Sequence, residues 1–536
     1  MLLLLTALLL LLLLFLLLNW MRTDSAEGAG DAKLFSSMPG PAPWPLLGTL
    51  PYYWSGHYSW DRLHTTGLTK YREFGDCVRE RILPGVCVVW LFQPRDIRAM
   101  FKAEGRDPSR RSHTALAHLR LSQPQYYNCP GLLPTNGSDW RRIRKPLQKP
   151  LLGTLTANRQ LPALDQVMLE AVEFLGKNKE YLATRDLLPE LEKCFMESTG
   201  QVALGRRLDS LHLHLPSSST AARLIRAAEQ TNSSVLGTDN GLPVWRLLET
   251  TEYRKTREGM EVISEVARER VSERMDELAE GEEREEGALL DQWLGLGELD
   301  FKDVATALED FLLAGVHTSS YTAAFLLHHL SQSPTVQYQL AREARTVLGR
   351  AGPSLTRRDL SAVPYTRAVL WESLRLNPVA VGTGRILASD ATLGGYRVPK
   401  GTVCVAMNQV SSRLEEFFPE PGSFLPERWL PGSQYYQLSV DPFLVLPFGH
   451  GPRACIGRRF AEDALIIFLL RLCSEYRLQW KGGRLDCMSQ LINKPDSEVM
   501  IQMTRWREGE LDLDLADELG EGESVYNKSN IPWGPL

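Results

Sequence analysis

The chain has 536 residues, 43% of them hydrophobic, with 60 basic and 65 acidic side chains and a net charge of -5. That balance excludes the basic footprint of a nucleic-acid binder, and the length supplies core enough for a large globular body. Eight cysteines, at 77, 87, 129, 194, 404, 455, 473 and 487, show no paired spacing, which excludes a disulfide scaffold or a zinc cluster and reads as reduced thiols.

Met1 to Leu18 is almost entirely leucine and carries no side-chain charge, so it reads as an apolar leader just long enough to cross a thin bilayer. Arg22 and Lys33 follow it and no basic side chain precedes it, a bias that places the body on the cytoplasmic side, as in the endoplasmic reticulum. Residues 19–45 form a polar tether that ends in a proline-stiffened hinge, Pro39 to Pro45. From 46 to 507 no Gly-, Ser- or Pro-rich linker divides the chain, so one large catalytic unit is expected.

A helix-like stretch from Trp60 to Phe74 precedes two β-prone runs, Cys77 to Ile82 and Val86 to Phe92, broken at Pro84-Gly85. A helix starting near Ser138 carries Trp140 and Arg144, four apart and on one face. Leu161 to Leu204 and Thr220 to Glu280 read as amphipathic helices, with loops at Leu211 to Ser219 and Asn232 to Pro243. The acidic run Glu277 to Glu286 reads as solvated.

Phe301 to Leu330 is the longest regular helix, and within it stand Gly315, His317 and Thr318. A mid-helix glycine costs stability and needs a reason, such as close backbone approach, while a threonine hydroxyl can back-bond or hold a water. His328 and His329 near its end read as a surface pair. Glu372 and Arg375, three apart on a helix that begins near Pro364, are spaced as an ion pair.

The run Phe448-Gly449-His450-Gly451-Pro452-Arg453-Ala454-Cys455-Ile456-Gly457 is a glycine-rich loop whose amides can reach a buried sulfur, followed by a helix, Arg458 to Glu475, whose positive end lies beside it. Such surroundings lower a thiol's pKa and suit a metal-binding thiolate, so Cys455 is read as an iron ligand. Beyond residue 507, an acidic stretch poor in large side chains other than leucine reads as a disordered tail, 508–536.

With Phe448, Gly451, Arg453, Cys455 and Gly457 in place, this loop resembles the haem-binding signature of the cytochrome P-450 family, and the likeness extends from about Pro39 to Arg505. The resemblance implies a mainly α fold with small β-sheets (α+β), haem b held through Cys455, and Trp140, Arg144, Arg385, Arg453 and Phe448 as cofactor-binding residues. It implies that Gly315, His317 and Thr318 form the oxygen-activating segment, and that Glu372, Arg375 and Arg428 are a structural trio. The family usually has Asp or Glu where this chain has His317; an imidazole can also relay protons.

Segments away from the haem, among them Gly131-Leu132-Leu133-Pro134-Thr135-Asn136-Gly137 and Leu491-Ile492-Asn493-Lys494-Pro495-Asp496, are similar to those of arthropod ecdysteroid 22-hydroxylases. This implies a steroid substrate and O2, with electrons from NADPH through a mitochondrial ferredoxin and its reductase. The alternative, suggested by the leader, is a microsomal enzyme fed by NADPH cytochrome P-450 reductase. Arg458 and Arg459 suit an acidic ferredoxin, although Trp371 replaces one of two basic residues that mitochondrial members usually carry four apart. By matching regions, substrate contacts are expected near His113 to Leu121, Leu313 to Thr318 and Val379 to Thr383.

Overall fold

Val86-Cys87-Val88-Val89-Trp90-Leu91 is too short and too rich in β-branched and aromatic side chains to be a helix, and it forms a strand at the heart of a sheet. The computed structural model describes residues 32–511 apart from 84, 241–242, 285–286 and 437–439. The apolar leader, the tether as far as residue 31 and the tail from 512 lie outside the described residues. Among those described, no helix is long and apolar enough to cross a membrane.

The contacts divide the chain into two compact units, each assembled from separated stretches, so no single linker marks the division. The first runs up to Arg111 and takes in Ala380–Pro421 and Val440–Ala454. Here α1 (Leu63–Phe74) leads into β1 (Cys77–Leu83) and β2 (Val86–Leu91), and later stretches supply β3 (Thr383–Ile386) and β4 (Val403–Ala406). The sheet order is β1-β2-β4-β3, with β2 and β4 parallel and the other pairs antiparallel. Val89 and Leu91 enter one core and Val88 and Trp90 another, as period-two alternation requires. Glu80 is wholly buried but accepts from Thr49 Oγ1 at 2.9 Å, Tyr53 OH at 3.1 Å and Trp90 Nε1 at 2.7 Å, and pairs with Lys70.

The second unit is mainly helical: Ser112–Val379, Gly422–Ser439 and the chain from Cys455. Its principal helices are α2 (Gly137–Leu152), α3 (Leu188–Leu204), α4 (Thr220–Asn240), α5 (Thr251–Ala279), α6 (Phe301–Ser331), α7 (Pro364–Leu376) and α8 (Arg458–Glu475). Behind α8 follow β5 (Tyr476–Trp480), β6 (Cys487–Ser489), β7 (Asn493–Pro495) and β8 (Ile501–Arg505), paired antiparallel as β5–β8 and β6–β7. The Asp300 side chain caps α6 by accepting from the Asp303 amide at 2.9 Å.

Three expectations are corrected. The loop expected from Asn232 is helix as far as Asn240, because Thr231, Ser234 and Thr238 turn their hydroxyls back onto carbonyls of α4. The stretch from Leu161 to Leu204 is interrupted between Lys177 and Leu188. The acidic run is less free than a solvated loop: Glu277 accepts from Arg270 and Arg274, and Glu282 from Arg274.

Candidate functional site

The cysteine loop turns where its glycines allow. Gly449 and Gly451 have φ of 70° and 72°, and a Cβ on Gly451 would lie 2.5 Å from Glu104 Oε1. Glu104 is ion-paired with the buried Arg385, whose Nη2 also donates to the His450 carbonyl at 3.0 Å. Arg385 thus holds the loop through Glu104 and His450. Arg453 is buried and donates from Nε to the Pro108 carbonyl at 2.7 Å, while Phe448 is half-buried in the same loop.

Cys455 opens the last stretch of the second unit. Alone among the eight cysteines of the described residues it is exposed. Its thiol is nonetheless surrounded closely enough for burial to push it above the ordinary thiol range, against the Gly457 amide and Arg144, which lower it. The expected lowering therefore does not come from the protein alone; a bound metal ion is what deprotonates such a thiol.

The structure places Trp140 and Arg144 where a buried anion is needed. Trp140 is 3% exposed and Arg144 9% exposed, so they are not a surface pair. The Arg144 guanidinium lies 5.9 Å from the Trp140 ring, and its Nε donates to Gln148 Oε1 at 3.2 Å. Burial drives its pKa down to about 10, opposed by the negative charge of Cys455. A buried cation whose charge interacts with the Cys455 sulfur fits a haem carrying propionates.

Along α6 every residue from Asp303 to Leu327 is buried except Ala314, Gly315 and Thr318, which are partly exposed. Thr318 Oγ1 donates to the Ala314 carbonyl at 2.7 Å. A Cβ on Gly315 would meet Thr199 Cγ2 at 2.9 Å, so this glycine lets α3 press against α6. The cysteine helix meets the same part of α6, with Phe460 of α8 5.8 Å from Phe311. Leu313 is core rather than open wall.

His317 points elsewhere. It is wholly buried, and neither ring nitrogen has a hydrogen-bond partner. Nε2 lies 3.6 Å from Glu192 Oε1 on α3, and the ring 5.4 Å from that of Tyr321. Burial lowers its pKa to about 4, with Glu229 opposing and Lys494 adding to the shift. None of Glu192, Glu229 and Lys494 was singled out from the sequence, since only tertiary contact brings them to α6.

Supporting geometry follows the implied trio. Glu372 accepts from Arg375 Nε at 2.9 Å and Nη2 at 2.8 Å, from Arg428 Nε at 3.2 Å and from Trp429 Nε1 at 2.9 Å, all within the second unit. His328 and His329 are not a plain surface pair: His328 packs edge-on to Trp480, and His329 stacks on Phe424 and bonds Asn377 Oδ1 at 3.0 Å.

Comparison with known proteins agrees with this arrangement. The sequence profile of the family described as Cytochrome P450 matches residues 38–502. The chain is 44% identical over 483 residues to "Cytochrome P450 302a1, mitochondrial" of Drosophila melanogaster, covering 89% of this chain and 96% of that protein. It is 30% identical over 497 residues to "Probable cytochrome P450 49a1" (89% and 84%) and 27% identical over 449 residues to "Ecdysone 20-monooxygenase" (81% of this chain), both of the same fly. From the span of that profile and the near full-length likeness to these proteins, the chain belongs to the cytochrome P450 family, the haem-thiolate monooxygenases that require O2 and redox partners.

Proposed function

We propose that this monooxygenase hydroxylates a steroid, at carbon 22 of an ecdysone precursor, in mitochondria, with electrons supplied by a ferredoxin and its NADPH-dependent reductase. The observation that carries the reading is the 44% identity across 96% of a relative named mitochondrial. A second relative, at 27%, is named for ecdysone oxidation. The microsomal alternative rests on the leader, which lies outside the described residues.

In this reading Cys455 would hold the haem iron through its sulfur, and Trp140, Arg144 and Arg453 would supply donors toward the propionates. Phe448 would join them as a cofactor-binding residue, and Arg385 holds the loop through Glu104. When bound, the haem supplies oxygen activation, and its thiolate ligand favours O–O cleavage. Gly315, His317 and Thr318 would form the oxygen-activating segment, where Thr318 could release the Ala314 carbonyl to offer its hydroxyl. His317 is neutral near pH 7, and its Nε2 lies toward Glu192.

The test is product analysis by mass spectrometry after reconstitution with ferredoxin, its reductase, NADPH and a 22-deoxy ecdysteroid. A 22-hydroxylated product dependent on ferredoxin is expected. Haem-thiolate protein that yields no hydroxylated steroid, or that works only with the flavoprotein reductase, overturns the substrate or the electron route respectively.

A further inference from the structure

The acidic tail expected from residue 508 does not leave the body there. Glu508 to Glu510 form a turn, and Leu511 is 4% exposed, packed with Trp506 and with Tyr338 and Ala341 of the helix Pro334–Leu348. Tyr338 OH donates to the Leu511 carbonyl at 3.5 Å. The segment that follows therefore starts from a fixed point on that helix.

Arginines surround this point. Arg342 and Arg345 are exposed on the same helix, just past Ala341. Arg477 on β5 and Arg505 on β8 are 56% and 71% exposed, and they reach Glu510 and Glu475 at 3.6 Å. The end of α8 ties these residues into one surface. Arg345 Nε donates to the Ser474 carbonyl at 3.0 Å, Trp506 Nε1 donates to the Cys473 carbonyl at 2.9 Å, and Arg505 pairs across the sheet with Tyr476. Those carbonyls lie in the last turn of the cysteine helix, where no amide of the helix itself remains to bond them.

The sequence after Leu511 complements this face. Asp512, Asp514, Asp517, Glu518, Glu521 and Glu523 precede the first basic side chain, Lys528. Leu511-Asp512-Leu513-Asp514-Leu515 alternates strictly, so an extended chain turns its leucines to one side and its aspartates to the other. An extended residue spans about 3.3 Å and a helical one rises about 1.5 Å, so Asp512 and Asp514 come within reach of Arg342 and Arg345. Being tethered at Leu511, the segment meets the arginines at an effective concentration that a separate acidic partner would have to match.

We propose that residues 512–519 occupy this arginine face as an acidic strap, seated on Arg342, Arg345, Arg477 and Arg505, and that the strap holds the last turn of α8. Each exposed pair is weak alone, so the strap acts through several at once. It closes at low ionic strength and is released by salt. The strap depends on neither the steroid nor the electron route.

The experiment follows backbone amide exchange by mass spectrometry in full-chain holoenzyme at low and high salt, with the haem-thiolate spectrum checking each variant. In wild type, amides of 512–519 are expected to exchange at least about fivefold more slowly at low salt than at high salt, whatever the protein concentration. A neutral strap (Asp512→Asn, Asp514→Asn, Asp517→Asn, Glu518→Gln) loses that difference and speeds exchange in the last turn of α8 about twofold at low salt, with the haem spectrum unchanged. Arg342→Glu with Arg345→Glu also loses it, and adding Asp512→Lys and Asp514→Lys restores it, a rescue that general loosening of the fold would not give. Exchange of 512–519 that is fast at both salt levels overturns the proposal. So does protection that survives the arginine reversals, which puts the segment elsewhere, or protection that grows with protein concentration, which makes a second copy the occupant.

Discussion

A neutral imidazole sealed into a helix packing surface makes the fold sensitive to acid. The His317 pKa lies at about 4 in the folded protein, below the ordinary value, so its contribution is complete above the unfolded pKa and is lost as pH falls toward the folded one. Between pH 7 and pH 5 this group alone costs about 2 kcal/mol of stability. Urea unfolding of wild type and His317→Asn at the two pH values checks this: the variant is expected to lose less on acidification, and an equal loss would contradict it. His328, also held at about 4 by burial, adds a similar acid sensitivity to both proteins and cancels in the comparison. At this scale the sequence was legible where chemistry is concentrated in a short motif. Cys455 announces itself through the fixed residues around it, whereas Glu192 reads as one more acid on an amphipathic helix. Its meaning depends on a helix crossing that no local pattern encodes.

Helix crossings in the second unit are set by single side chains. Gly315 and Thr199 are in van der Waals contact, and a methyl group at 315 would come within 3.0 Å of both Thr199 Cγ2 and Oγ1. Gly315→Ala should therefore cost about 1–3 kcal/mol through overpacking, and Thr199→Ala in the same chain should recover most of it. Denaturant midpoints of the two single variants and the double variant test this, and simple additivity would show that the two residues do not meet. A different device fixes α7. Glu372 is fully buried and accepts bonds from two arginines, a tryptophan and the Leu425 amide, so its removal strands two buried cations. Glu372→Ala should lose about 3–5 kcal/mol and retain haem poorly, measured by haem-to-protein ratio after gel filtration. The long helices α6 and α8 were readable in the sequence, with ends within one residue of expectation, and α7 begins where expected at Pro364. The polar segment of α4 was misread because serine and threonine look like loop until their hydroxyls are seen bonding back into the helix.

For the whole molecule, the open question is how electrons reach it, and the structure bears on the loss of a basic residue at 371. Trp371 is buried, and the Arg458 guanidinium lies 5.5 Å over its ring, held by Glu462 at 3.2 Å. Arg367 also acts on Glu462, so two cations stand about one acid on the side of the second unit that carries the start of α8. Arg458 thus supplies a positive charge beside the position where the usual basic residue is absent, and the tryptophan ring is the surface that orients it. If ferredoxin docks there, Arg458→Gln removes a partly exposed charge from a polar rim. Such changes act on association and its salt dependence more than on the bound complex. KM for ferredoxin is therefore expected to rise about fivefold at low salt, equivalent to about 1 kcal/mol. The difference should shrink above about 0.3 M salt as the Debye length contracts, with kcat for a saturating ferredoxin unchanged. Steady-state turnover against ferredoxin concentration at two ionic strengths is the measurement. A fall in kcat with KM intact would place Arg458 in support of the cysteine helix instead, and an unchanged profile would move the docking surface away from α8.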